Sequence, residues 1–323
     1  MLNDKPVNVT VEGWLHYQLL SEGGLILKEG EQHNLILNSG LDYYAAYGIR
    51  GSVDVAHVGT GSTAPAVTQT GLAAPLATTR QIGVSYPRTT RTAEGVYNYV
   101  LEREFGFQEA NGNLTEWGYG PNGAGNLSVR ELFRDANGNP IVISKDSTQK
   151  LRLTYTLQIT VGPTARTAGA VTIDGVGTRT GSYHLCGVGD HAGDLQIVDM
   201  IMVAQMPSGM FGGLQNGMTL QGGAEWRTSD YNLWRHLDGG TYTSPNAGSS
   251  PAYVAGSYTR QGQTYSWDTS QYNGAVVAVT ILCATDYYNR HAWVWSFDPG
   301  QEFVKSDLDR LTLRGPSVTW GRA

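Results

Sequence analysis

The chain has 323 residues, 42 of them Gly, with 15% charged residues and a formal net charge of −6. Glycine stands well above its usual share of about 7% and charge well below its usual share of about 25%, which excludes a helical bundle or coiled coil. A 40% hydrophobic content with 18 Tyr and 8 Trp excludes a disordered tail, and the acidic balance argues against gripping DNA through its phosphates. No stretch reaches the roughly 18 apolar residues of a membrane span, and the start, MLNDKPVNVTVEGW, has no secretory pattern.

In chain order, Val7, Val9 and Val11 alternate with Asn8, Thr10 and Glu12 as a strand does. Leu25–Lys28 and Leu35–Leu37 read as a hairpin about Glu29-Gly30-Glu31. Residues 38–47 suit a short helix capped by Asn38 or Ser39, with Leu41, Tyr44 and Ala45 on one face. Val53–Val58 is the next strand, and Gly71–Thr79 is a helix weakened by Gly71 and Pro75. Strands are then expected over Val96–Phe107, Leu114–Tyr119, Ser128–Arg134, Ile141–Ser144 and Leu151–Val161, separated by turns such as Asn137-Gly138-Asn139-Pro140. About eight strands within 165 residues indicate a sandwich or barrel.

From Gly162 the texture changes to Gly, Thr, Ser and aromatic residues, with apolar runs at Leu195–Met202 and Ala275–Leu282. The expected fold is therefore mainly β: two β-sandwich-like antiparallel domains, 1–165 and 166–323, with at most short helices. One echo links them. Lys145-Asp146-Ser147-Thr148-Gln149-Lys150-Leu151-Arg152-Leu153 shares the pattern K-x4-K/R-L-x-L with Lys305-Ser306-Asp307-Leu308-Asp309-Arg310-Leu311-Thr312-Leu313. Duplication and coincidence both account for a match this short.

Catalytic signatures are missing: there is no G-x-S-x-G, no H-E-x-x-H and no P-loop, and Gly59-Thr60-Gly61 does not continue into a dinucleotide fingerprint. His184, Cys186 and His191 with Asp190 and Asp194 are the most metal-like cluster, without a zinc spacing, so no metal and no cofactor are expected. Asp174, Asp194, Asp199, Asp230 and Asp238 include no recognisable glycosidase pair. Cys186 and Cys283 read as two small buried hydrophobes rather than a disulfide. Trp226, Tyr231, Trp234, Tyr253 and Trp267, set among small polar residues, are the candidate contact surface for a sugar or a protein; filling the core of a Gly-rich domain is the competing role.

Three groups of segments resemble tailed-bacteriophage virion proteins of the tail and tail-fibre family. They are Asn34–Leu41 with Val58–Leu72; Gly112–Gly120 with Ser128–Phe133 and Gly138–Ile141; and Lys305, Leu311, Leu313 and Val318–Arg322. The resemblance implies a non-enzymatic, oligomeric tail component, made in the host cytoplasm and carried on the virion, which contacts other tail proteins and takes part in adsorption. Host surface glycan is a further partner to consider; nucleic acid is not. The alternatives are a head decoration or collar protein, or a carbohydrate-binding module.

Overall fold

The computed structural model describes residues 5–49, 51–83, 87–93, 95–123, 125–188, 218–221, 242–243, 246–247, 251–262, 264–271, 274–276, 278–284 and 290–323. The chain is mainly β, with antiparallel sheets and one α-helix among the described residues. It forms two compact units: an N-terminal unit of Thr10–Thr160 with Trp320–Ala323, and a C-terminal unit of Met1–Val9 with Val161–Thr319. Relative to a cut at 165, the boundary moves to 160/161, and the first nine and last four residues change sides. Their hydrogen bonds give the reason: Val7 N donates to Ser317 O (2.8 Å), and Ala323 N donates to Val11 O (3.1 Å).

In the N-terminal half, β1 (Val7–Ser21) turns back into β2 (Ile26–His33), and β3 (Leu35–Ile36) leads into helix α1 (Asn38–Tyr47). There follow β4 (Val55–Gly59), β5 (Pro75–Thr79), β6 (Arg88–Ala93), β7 (Val96–Phe105), β8 (Gly112–Leu114), β9 (Glu116–Gly120), β10 (Val129–Leu132), β11 (Ile143–Lys145) and β12 (Gln149–Gly162). The expected helix over 71–79 is instead a loop and strand β5. Gly71 and Pro75 weaken a helix, and the open edge of β4 offers antiparallel pairing. The N-cap of α1 is Leu37, with no side-chain cap. Asn38 and Ser39 work elsewhere: Asn38 Oδ1 accepts from Arg322 (2.6 Å), and Ser39 Oγ donates to Leu127 O.

Strands β1, β12, β7 and β6 are successive neighbours in one sheet, with β2 on β1; the second sheet runs β3-β10-β9-β4-β5. The alternation along β12 does what the sequence predicts, burying Leu151, Leu153, Tyr155, Leu157, Ile159 and Val161. On the facing sheet, Tyr119 stacks on Tyr155 with centroids 5.0 Å apart and donates its hydroxyl to Leu153 O (2.9 Å). That packing of two sheets through aromatic side chains makes the N-terminal unit a sandwich.

The C-terminal half contains β13 (Thr167–Ile173), β14 (Gly177–Val188), β15 (Met218–Gln221), β16 (Tyr242–Thr243), β17 (Asn246–Ala247), β18 (Thr259–Arg260), β19 (Thr264–Trp267), β20 (Gly274–Val276), β21 (Ala278–Ala284), β22 (Arg290–Phe297), β23 (Phe303–Lys305) and β24 (Leu311–Arg314), before the final β25 (Val318–Arg322). Its sheets run β13-β14-β22-β21-β15-β16, β17-β19-β24 and β20-β23. The expected strand at Leu195–Met202 lies outside the described residues.

The strand register resolves the echo between the lysine segments. Phe105 pairs with Leu151 as Trp267 pairs with Leu311, and Gly112 pairs with Lys145 as Gly274 pairs with Lys305. Val58 faces Trp117 as Leu220 faces Val279, and Glu116 faces Leu132 as Ala278 faces Ser296. The turns agree too. Gly106 N is bonded by Glu109 Oε2 and Asp268 N by Gln271 Oε1, each at 2.8 Å. Asp146 N is bonded by Gln149 Oε1 and Ser306 N by Asp309 Oδ2. Lys145 and Lys305 are both buried and both donate to the carbonyl of the following residue. Four matching strand pairs and two matching turns are a duplicated module, one copy in each unit.

Candidate functional site

The segment Thr115-Glu116-Trp117-Gly118-Tyr119-Gly120 has a division of labour set by the two-residue period of a strand. Trp117 and Tyr119 point into the sandwich, where both are fully buried. Glu116, Gly118 and Gly120 therefore face the other way, outside the sandwich core. A Cβ at Gly118 would stand 2.7 Å from Val129 O and 2.8 Å from Leu127 Cδ1, so the glycine lets neighbouring chain lie directly on the strand. That chain includes the fifteen-residue loop 60–74 between β4 and β5, whose Leu72 reaches Gly118.

Glu116 and Arg130, on adjacent strands, hold the loop down. Both are 0% exposed, and Arg130 Nη2 lies 2.7 Å from Glu116 Oε2. Glu116 also accepts from the backbone N–H groups of Gly61 (3.0 Å), Ala73 (3.0 Å) and Ala74 (2.7 Å). Arg130 donates to Thr63 O and to Gln69 Oε1, which itself accepts from Ala66 N. One ion pair thus ties down both ends and the middle of the loop. Burial alone pushes the Glu116 carboxyl up, but the Ala74 and Ala73 amides and the Arg130 guanidinium outweigh it and hold the group below the usual carboxylate range. Backbone bonds finish the clamp: Asn38 N to Val67 O, Leu127 N to Thr70 O and Thr60 N to Ala74 O.

The surface so presented is uncharged. From Val58 to Thr79 there is no Asp, Glu, Lys, Arg or His, and Ser62, Thr63, Ala64, Ala66, Thr68 and Leu76 are exposed. A loop fixed by a buried ion pair and lined outside by small neutral side chains can form a preorganised protein contact.

A second neutral patch sits at the β1–β2 turn, where Leu25 is 68%, Ile26 45% and Leu27 47% exposed. Val142, also exposed, is drawn beside it by a Lys28 Nζ bond to Val142 O (3.0 Å). An open cleft of about 440 Å³ lies near the other end of β2, lined by Gln32, His33, Asn34, Glu131, Arg134 and Asp135 among others. Its polar groups are largely used by the chain itself. Gln32 donates to Leu132 O and accepts from Arg134 N, while the Arg134 guanidinium binds Glu131 and Gly138 O. The Gln32 amide thereby substitutes for a backbone peptide where the chain leaves β2 for the other sheet.

Comparison of the chain with family models, with curated proteins and with solved structures finds no match in any of the three. The site therefore rests on its own geometry.

Of the aromatic residues expected to form a contact surface, Trp226, Tyr231 and Trp234 lie outside the described residues. Tyr253 is half-buried. Trp267 is fully buried and cannot offer a ring to a ligand: it is the counterpart of Phe105 and fills the core of its module. His184 is buried as well, and its pKa is lowered to about 4 by burial and then by the nearby Arg166 charge. Asp190, His191 and Asp194 lie outside the described residues, as does the Cys186 thiol; among the described residues no three metal-ligating side chains converge. Of the candidate carboxylates, Asp174 sits exposed at the β13–β14 turn, and the others lie outside the described residues. Strand β22 separates the strands carrying Cys186 and Cys283. Two strand spacings are about 10 Å, beyond the Cα separation that a disulfide spans.

Glu116 and Arg130 had no individual role in the sequence reading. Their signal is an acid and a base in strand segments that lie against a long loop with no charge of its own.

Proposed function

We propose that this chain is a non-enzymatic structural component of a bacteriophage virion, carried on the tail and contributing to tail assembly and host adsorption. One observation carries the reading. Parts of each of the three groups of segments that resemble tail proteins, far apart in sequence, connect to one neutral loop. Thr115 Oγ1 donates to Gly61 O, Arg130 to Thr63 O, Leu37 N to Ser128 O and Asn38 N to Val67 O. The final segment joins the same web: Arg322 donates to Ile36 O and Asn38 Oδ1, and Trp320 packs on Tyr44. The shared motifs therefore support a surface for docking rather than a reaction centre. Its partners are other virion proteins, including further copies of the chain. The lack of basic groups over residues 58–79 suits a protein surface and does not suit nucleic acid.

The test is imaging of particles made without this chain. Tails that are incomplete, or that no longer adsorb, are expected. Complete tails and fibres with normal adsorption overturn the proposal, and density for the chain on the head or collar overturns its placement on the tail.

A further inference from the structure

Lys145 is 3% exposed, and its side chain ends beside the turn that joins β7 to β8. Its Nζ donates to Asn111 Oδ1 (2.8 Å), Asp146 O (3.3 Å) and Phe107 O (3.4 Å). Three oxygen acceptors match the three donors of an ammonium, so the geometry suits the charged group. Among the described residues it has no ion-paired carboxylate. Asp146 and Glu109 act on it from further off, and burial outweighs them, holding its pKa below the usual lysine range. A buried cation without a counter-ion is costly, and the shortest bond of this one is to a neutral amide. Asn111 itself is exposed to water and is followed by Gly112. Gly112 has a φ of +141°, and only Leu76 Cδ2, at 3.8 Å, comes near the place of a Cβ, so the backbone after Asn111 is unhindered.

We propose that Asn111 is a site of spontaneous modification: its side-chain amide is converted to a carboxylate, which becomes the counter-ion of Lys145. The Gly112 nitrogen gives its proton to solvent and bonds to Asn111 Cγ, placing negative charge on Oδ1. Lys145 already donates to that oxygen and stabilises the charge as it forms. The Cγ–Nδ2 bond then breaks, and the nitrogen takes a proton from solvent and leaves as ammonia. The cyclic imide opens when water adds to one of its two carbonyls. Lys145 polarises Cγ, so water adds there; the bond from Cγ to the Gly112 nitrogen breaks, and the backbone is restored with aspartate at 111. Addition at the other carbonyl would leave isoaspartate. One water is consumed and one ammonia released, with no oxidant or reductant. Direct attack by Lys145 is disfavoured, because an ammonium that uses all its protons as donors has no lone pair for Cγ. The product turns a neutral hydrogen bond into a charge-assisted one.

The experiment ages the full chain in mildly alkaline buffer and maps its peptides by mass spectrometry, with fragmentation that separates aspartate from isoaspartate. Asn111 is expected to gain the mass of an amide exchanged for an acid and to yield mainly aspartate. Asn122-Gly123 and Asn137-Gly138, exposed turns in which no lysine among the described residues bonds the asparagine, serve as internal controls and are expected to yield mainly isoaspartate. K145M is expected to shift the product at 111 toward isoaspartate, which a purely structural lysine would not do. Should K145M fail to fold, N111D carries the second arm: it installs the product directly and is expected to melt above the wild type. An amide that persists at 111 after Asn122 and Asn137 have converted, isoaspartate as the main product at 111, or a lower melting midpoint for N111D overturns the proposal. So does a peptide in which Asn111 and Lys145 are joined with loss of ammonia, the mark of direct attack by the lysine. None of these outcomes bears on the tail reading, which particle imaging judges.

Discussion

At the scale of residues, the buried Glu116–Arg130 pair makes the sharpest energetic statement. Removing one partner strands the other charge in the interior, so Glu116→Ala alone should cost about 3–5 kcal/mol in a denaturant melt. Adding Arg130→Val should recover most of that loss, because the sister module holds Ala278 and Val294 at those positions. Since the Glu116 pKa is depressed in the fold, its contribution is present above the ordinary carboxylate pKa and is lost as pH falls through the folded value. His184 acts in a different window. Its folded pKa of about 4 lies below the usual 6.5, so the unfolded chain takes up the proton first and stability falls as pH drops from 6.5 toward 4. The full loss is ~3 kcal/mol, and His184→Leu, the residue at the counterpart position Leu35, should flatten that slope in melts taken across this range.

At the scale of elements, helix α1 and the clamped loop depend on glycines placed for close approach. Ala is favoured over Gly inside a helix by about 1 kcal/mol, yet Gly40→Ala should destabilise. Its Cβ would run into the Ser128 carbonyl, and such overpacking typically costs about 1–3 kcal/mol. A lower melting midpoint checks this; an unchanged or higher one refutes it. Gln32→Leu should cost a further ~2–4 kcal/mol, because Leu132 O and Arg134 N would lose their partner where the chain changes sheets. These elements also show what was legible in the sequence. Strand β12 was readable because one buried face imposes strict alternation, and α1 because Leu41, Tyr44 and Ala45 fall on one face. Strand β5 was not, since its pairing with β4 is a tertiary choice that a Gly- and Pro-containing segment does not announce. Nor was the clamp: Glu116 and Arg130 become neighbours only through strand pairing. Trp267 misled for a related reason, because polar loop residues around it gave no sign that it fills the core.

At the scale of the whole molecule, the two modules share their register far more than their side chains, so little beyond a nine-residue echo is readable in sequence. Register and turn bonds match between the modules while most side chains differ: Trp267 stands where the first module has Phe105, although Asn273-Gly274 matches Asn111-Gly112. The last four residues complete the N-terminal unit from the far end of the chain. Trp320 packs on Tyr44, and Arg322 donates to Ile36 O and Asn38 Oδ1 within the N-terminal unit. Cutting Trp320–Ala323 from the chain should therefore lower protection of the α1 amides in hydrogen exchange, although these residues are nearly three hundred positions away in sequence; unchanged protection there would refute it. The order of synthesis then differs from the order of completion. On the ribosome the N-terminal unit emerges first, but it cannot finish until residues 320–323 have also left the exit tunnel. Helix α1 therefore gains its last contacts only on a chain translated to that point.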